Sequence, residues 1–221
     1  MPGKGKGSKS ATFDTAVQDW HDRGKGPDKQ RVIVRMVDYT LKSFVADLDA
    51  ITSTETDPAT ITAKAAPLLA RLCRNPEAIP VEYRTAPAGQ RGRYMLHRAP
   101  RFNVTSVIWR PGDEAGSHDH ETWGLVGVVE NEIQETRYTS SGPRELGGRT
   151  ALQVREVLRH KPGAVSALVP PHDEIHAMYN PTAKNTVEIH VYGKDLAGLQ
   201  RHVFDKDGQV KSLVSSKYMN C

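Results

Sequence analysis

From about Tyr94 the chain runs in short segments of period two, rich in Val and Ile and broken by turn pairs such as Pro111-Gly112, Ser141-Gly142, Gly147-Gly148, Pro162-Gly163 and Asp207-Gly208. A period of two sends successive side chains to opposite faces of an extended backbone, so each segment reads as a strand. Strands are expected near 102–109, 116–129, 132–138, 151–158, 164–169, 175–180, 185–192 and 199–204. Short antiparallel strands leave exposed edges unless the sheet closes or doubles, which makes the expected fold mainly β, a closed barrel or a double-sheet jelly roll. No repeat at a fixed period suggests a solenoid or propeller.

The preceding part of the chain has a different texture. Val34, Val37, Leu41, Phe44, Leu48 and Ile51 recur at steps of three and four, which predicts an amphipathic helix near 32–51. Asp57 before Pro58 is a helix start and Asn75-Pro76 a stop, with Pro67 expected to kink or divide the second helix. The expected organisation is a disordered basic tail over 1–30, a helical annex over 31–92 and a barrel over 93–221, annex and barrel forming one structural domain. Charge matters here because the net +4 invites a nucleic-acid reading. Most of it sits in the first 31 residues, which hold seven Lys or Arg against four Asp, so the remainder is too balanced for a nucleic-acid footprint. No stretch reaches the roughly 18 apolar residues of a membrane span, no secretion signal is visible, and two cysteines make no disulfide framework. A soluble, cytoplasmic protein with no membrane partner is expected, and homo-oligomerisation is left open.

Nine histidines gather the chemistry. His118 and His120, one residue apart in an expected strand, point to one face and could share a metal ion. Later comes Pro171-His172-Asp173-Glu174-Ile175-His176, with Asn180 four residues on. His172 competes as a ligand at i to i+4 from His176, but that spacing converges only on a helix, which the preceding prolines disfavour; a loop histidine is the better reading. In Thr186–Gly193, Val187, Ile189 and Val191 face one side while Glu188, His190 and Tyr192 face the other, either towards solvent or, if the strand lines the barrel, as a hydrogen-bonded relay.

With Gly112 six residues before His118, these segments resemble the two cupin motifs, G-x5-H-x-H and P-x-G-x2-H-x3-N, with Asp173 at the glycine of the second. The resemblance implies a cupin jelly-roll barrel with an N-terminal helical annex. The glutamate usual after the first motif is missing, its positions being Gly124 and Leu125. If His118, His120 and His176 hold a divalent metal, three neutral imidazoles leave its charge uncompensated and suit an anionic ligand such as a thiolate.

Taken together, the segments LKSFVADLDA, APLLARL, YMLH, RFNVTSVIWRPG, HDHETWGLVGVV, DEIHAMYN and VEIHVYG resemble thiol dioxygenases of the cysteine dioxygenase family, and in particular the bacterial branch that includes 3-mercaptopropionate dioxygenases. The resemblance covers roughly residues 34–205. It implies Fe(II) on His118, His120 and His176, and oxidation of a small thiol carboxylate by O2 to its sulfinic acid. The family's Ser-x-His-x-Tyr motif falls on Glu188, His190 and Tyr192, so that a carboxylate stands where the family has serine. The cysteine that crosslinks to tyrosine in animal cysteine dioxygenases matches Gly124, leaving Tyr192 free. The substrate-carboxylate residue matches Arg93, with Gln90 and Arg91 as alternative registers, and Arg201 matches a second arginine of the bacterial branch. Trp109 and Trp123 are read as core. Two rival readings are a non-catalytic cupin sensor of a metal or small anion, and a zinc or manganese isomerase or hydrolase on the same barrel.

Overall fold

A computed structural model describes residues 39–221; the expected basic tail, and the part of the first helix expected before Tyr39, lie outside the described residues. Helix α1 spans Leu41–Thr54. Tyr39 and Thr40 are not helical; the Thr40 hydroxyl accepts the Ser43 N–H at 3.1 Å and caps the first turn, so the helix begins later than the apolar stripe implied. Helix α2 spans Pro58–Cys73 and is capped as expected, Asp57 accepting the Thr60 N–H at 2.8 Å. Pro67 does not divide it. Pro67 and Ala63, whose carbonyl loses its i+4 donor, are both exposed, so water can meet the unbonded oxygen without breaking the helix.

Eleven strands follow: β1 (Gly92–Arg98), β2 (Asn103–Trp109), β3 (Glu114–His118), β4 (Gly124–Glu130), β5 (Ile133–Ser141), β6 (Ala151–His160), β7 (Val165–Leu168), β8 (His176–Tyr179), β9 (Thr186–Tyr192), β10 (Gln200–Phe204) and β11 (Val210–Val214). They form two antiparallel sheets, in the orders β1-β2-β9-β4-β7 and β11-β10-β3-β8-β5-β6. Within them, β2 through β9 give the interleaved quartets 2-9-4-7 and 3-8-5-6 of a jelly roll, the architecture that the two histidine motifs implied.

The strand expected over 116–129 is two strands. β3 belongs to the six-stranded sheet and β4 to the five-stranded one, and Asp119–Trp123 forms the corner between them. This corner is stapled by buried carboxylates. Asp119 accepts the His202 N–H at 2.8 Å, and Glu174 accepts the backbone N–H groups of His120 and Glu121, each at 3.1 Å. Alternation along 116–129 cannot reveal a chain that changes sheets, because both halves keep period two. Strands β1 and β11 extend the expected set, each at an edge of a sheet.

The helices pack on the outer face of the five-stranded sheet, where Phe44, Leu48, Leu69 and Leu72 join Ile108, Leu125, Ile189 and Val191 in one core. A second core, including Val107, Val126, Ile133, Met178 and Leu196, lies between the sheets. Covered by helices on one side and by the other sheet on the other, β9 is buried at every position. Its polar face therefore looks inward, not into water. No described helix is long and apolar enough to cross a membrane.

Candidate functional site

Three imidazoles meet at one end of the six-stranded sheet. His118 closes β3, His120 projects from the corner and His176 opens β8, opposite His118 in register. Their ring centroids are 4.8, 4.9 and 4.9 Å apart, and their ligand atoms all lie within 4.8 Å of one another. His118 and His120 do converge, but through the corner and not as alternate residues of one strand.

Each ring has an acceptor at Nδ1: the Gly116 carbonyl at 2.7 Å from His118, the Glu174 carbonyl at 3.3 Å from His120 and the Glu135 carboxylate at 2.6 Å from His176. A carbonyl cannot donate, so Nδ1 of the first two carries the proton, and the Glu135 carboxylate sets the same tautomer on His176. All three Nε2 lone pairs are then available to a metal. Burial, then the neighbouring imidazoles and Arg201, hold His118 and His120 well below the ordinary imidazole range, which keeps them neutral for ligation. The donor set fits a divalent transition metal.

Glu135 had no signal in the sequence. It lies 41 positions from His176 and reaches it only because β5 pairs with β8. Burial opposes its charge, but hydrogen bonds from His160 at 2.7 Å and from His176, with the Arg137 charge, outweigh burial and hold it well below the usual carboxylate range. Among the described residues a second cluster, Asp119, Glu121 and His202, could be taken for a metal site. There the His202 Nδ1 is 2.8 Å from the Asp119 carboxylate that also accepts its backbone N–H, so the group serves to hold the corner.

From the facing sheet β9 contributes Glu188, His190 and Tyr192. His190 Nδ1 is 2.9 Å from the Tyr192 hydroxyl and its Nε2 is 2.9 Å from the Glu188 carboxylate, which also accepts the Trp109 indole N–H at 2.6 Å. Tyr192 stacks on His120 at 5.3 Å, and burial raises its phenol above the ordinary value, so it stays protonated. Glu188 thus points into the relay and not towards the imidazole triangle, and Trp109, read as core, also anchors that relay. Gly124 lies against the Tyr192 ring so closely that a Cβ there would sit 2.7 Å from it.

The three imidazoles line a cavity of about 360 Å3 between the sheets, together with Trp109, His190 and Tyr192. Arg93 and Arg201 both line it, as does Arg91, whereas Gln90 is exposed and outside it. Arg91 lies over the Trp109 ring at 3.7 Å and 3.7 Å from Asp113. The Arg201 and Arg93 charges partly offset the effect of burial on the Tyr192 phenol. His172 is exposed in a loop and takes no part in the triangle. Ser215 and Ser216, just after β11, also line the cavity; nothing in the sequence marked them.

No family model matches this chain. Among solved structures it is similar to a cupin superfamily protein from Desulfitobacterium hafniense, at 13% identity over 55% of this chain and 89% of that one, with a TM-score of 0.38. It is also similar to an uncharacterized Klebsiella pneumoniae protein with a double-stranded β-helix domain, at 17% identity over 62% and 94% and a TM-score of 0.38. A third similarity is to the cupin domain of an XRE family transcriptional regulator from Enterobacter cloacae, at 16% identity over 48% and 97% and a TM-score of 0.33. At such scores these likenesses carry no argument; the strand order of the chain itself establishes a jelly roll with two N-terminal helices, and it holds a histidine cluster able to bind a metal.

Proposed function

We propose that this chain is an iron-dependent thiol dioxygenase of the cytoplasm. Its substrate would be a small thiol bearing a carboxylate, such as cysteine, 3-mercaptopropionate or mercaptosuccinate, and it would have no nucleic-acid or membrane partner. One observation carries the reading: an imidazole triangle containing no carboxylate opens on the same cavity as the buried His190 and Tyr192 pair and two arginines. His118, His120 and His176 would hold the ion through Nε2. When bound, Fe(II) supplies the coordination and redox chemistry that a thiolate and dioxygen require.

The conversion is R–SH plus O2 to R–SO2H. Two S–O bonds form and the O–O bond breaks; sulfur gives up four electrons and dioxygen takes them, so no further reductant enters. Arg93 and Arg201 supply planar donor forks for carboxylate and so direct the sulfur towards the imidazoles. Tyr192 has a single proton to offer. The Glu188 carboxylate can only accept, so it takes the His190 Nε2–H, and His190 Nδ1 accepts the Tyr192 O–H and fixes the phenol at the cavity wall, whereas a serine hydroxyl at position 188 could either donate or accept.

Oxygen uptake and sulfinate formation by the iron-loaded protein, measured over a panel of thiols, test the proposal. Turnover of at least one of the three thiols is expected, with Arg93→Gln shifting the preference among them while iron is retained. No uptake with any thiol at full iron occupancy overturns the proposal and favours a sensor. Zinc or manganese as the resident ion after anaerobic preparation favours a hydrolase or isomerase instead.

A further inference from the structure

Among the described strands β6 and β7 each end a sheet and do not pair with each other, so on this side the two sheets are joined by side chains and not by a ladder. Two residues of β5 make the join. Arg137 donates to the Ser166 hydroxyl at 2.7 Å and to the Ala167 carbonyl at 2.9 Å on β7, and Glu135 accepts the Ser166 hydroxyl at 3.0 Å. The same carboxylate holds two imidazoles. Its Oε1 lies 2.6 Å from His176 Nδ1, and its Oε2 lies 2.7 Å from Nε2 of His160, the last residue of β6. Glu135 is fully buried, whereas the His160 side chain is 16% exposed. One continuous path therefore runs from a partly exposed imidazole through a buried carboxylate to a ring of the triangle.

The two oxygens of Glu135 are not equally supported. Oε1 has His176 and Ser166, with Arg137 3.7 Å away, but the only hydrogen bond to Oε2 comes from His160. A carboxylate can only accept, so His160 presents its Nε2–H, and without that donor a fully buried oxygen would be stranded. The carboxylate plane is thus pinned at both ends, by His160 at one oxygen and by His176 at the other. We propose that His160 is a positioning residue for the metal centre: through Glu135 it fixes the orientation of the His176 ring and so sets how firmly His176 Nε2 holds a divalent ion. This inference rests on the imidazole triangle being a metal centre and on no part of the thiol reaction.

Titration of the metal-free full chain with Co(II) against a chromophoric chelator tests it without turnover, and the visible bands of the bound Co(II) report the ligand geometry. His160→Leu, which keeps bulk but has no donor, is expected to weaken Co(II) by about tenfold or more and to shift those bands, while His160→Gln, whose amide N–H can meet Oε2, should stay within about threefold of wild type. His160→Ala serves if the leucine variant does not fold. Because His160 acts through Glu135, adding His160→Leu to Glu135→Gln should change Co(II) affinity by less than about threefold. A folded leucine or alanine variant that loses stability but binds Co(II) like wild type makes His160 a strut between the sheets and overturns the inference. So does a glutamine variant as weak as the leucine one, or a full loss that persists in the Glu135→Gln background. Oxygen uptake by the iron form separates the inference from the proposed reaction: the expected Co(II) losses with no uptake from any thiol keep His160 in its role and remove the dioxygenase, whereas uptake with unchanged Co(II) affinities does the reverse.

Discussion

A buried carboxylate is stable only where donors meet it, and Glu188 has two, the Trp109 indole and His190, while its other oxygen has no partner. Glu188→Ala would strand both donors, so a loss of about 1–3 kcal/mol is expected, read by urea denaturation. Glu188→Gln keeps the shape but replaces a carboxylate that can only accept with an amide that can also donate, so the orientation of His190, and through it of Tyr192, is no longer fixed. The expected outcome is a fall in kcat larger than any change in KM, with metal content unchanged, measured by steady-state oxygen uptake. Glu135 acts through His176, one of the three side chains that would hold the metal. By fixing the His176 tautomer it sets the basicity of Nε2, and Glu135→Gln should weaken metal binding by about 10–100-fold in a competition titration with a chelator.

At the scale of elements, the helices determine which way β9 faces. Gly127 on β4 lets α2 approach closely enough that a Cβ there would sit 2.6 Å from the Cys73 sulfur and 3.0 Å from Leu69. Leu69 is fully buried in this contact, and Leu69→Ala should cost about 2–5 kcal/mol in chemical denaturation. On the same strand Gly124 leaves room for the Tyr192 ring. Gly124→Ala forces that ring to move, so reduced turnover with intact metal binding is expected, together with a stability loss of about 1–3 kcal/mol from overpacking. Both glycines lie on one strand and serve opposite faces of it, three residues apart, as alternation requires.

At the scale of the whole molecule, the imidazole triangle belongs to one sheet and its corner while the relay belongs to the other, so the cavity exists only once both sheets are assembled. A metal that binds only this assembled state stabilises the fold by linkage, by about 2.7 kcal/mol at a free concentration a hundredfold above Kd. Loading with metal should therefore raise Tm, and His176→Ala should abolish the metal-dependent rise, as seen by thermal scanning with and without chelator. The sequence alone determined what depends on neighbours in the chain. The period-two segments, the Asp57-Pro58 cap and the closely spaced histidines all follow from local geometry and from the residue types a metal requires. Only the tertiary structure decided that the polar face of β9 looks inward, that the chain changes sheets between His118 and Gly124, and that Glu135 reaches His176 while Ser215 and Ser216 reach the cavity. Those contacts join residues tens of positions apart, and a short periodic pattern carries no information about which partner will close over it when two sheets and a pair of helices pack together.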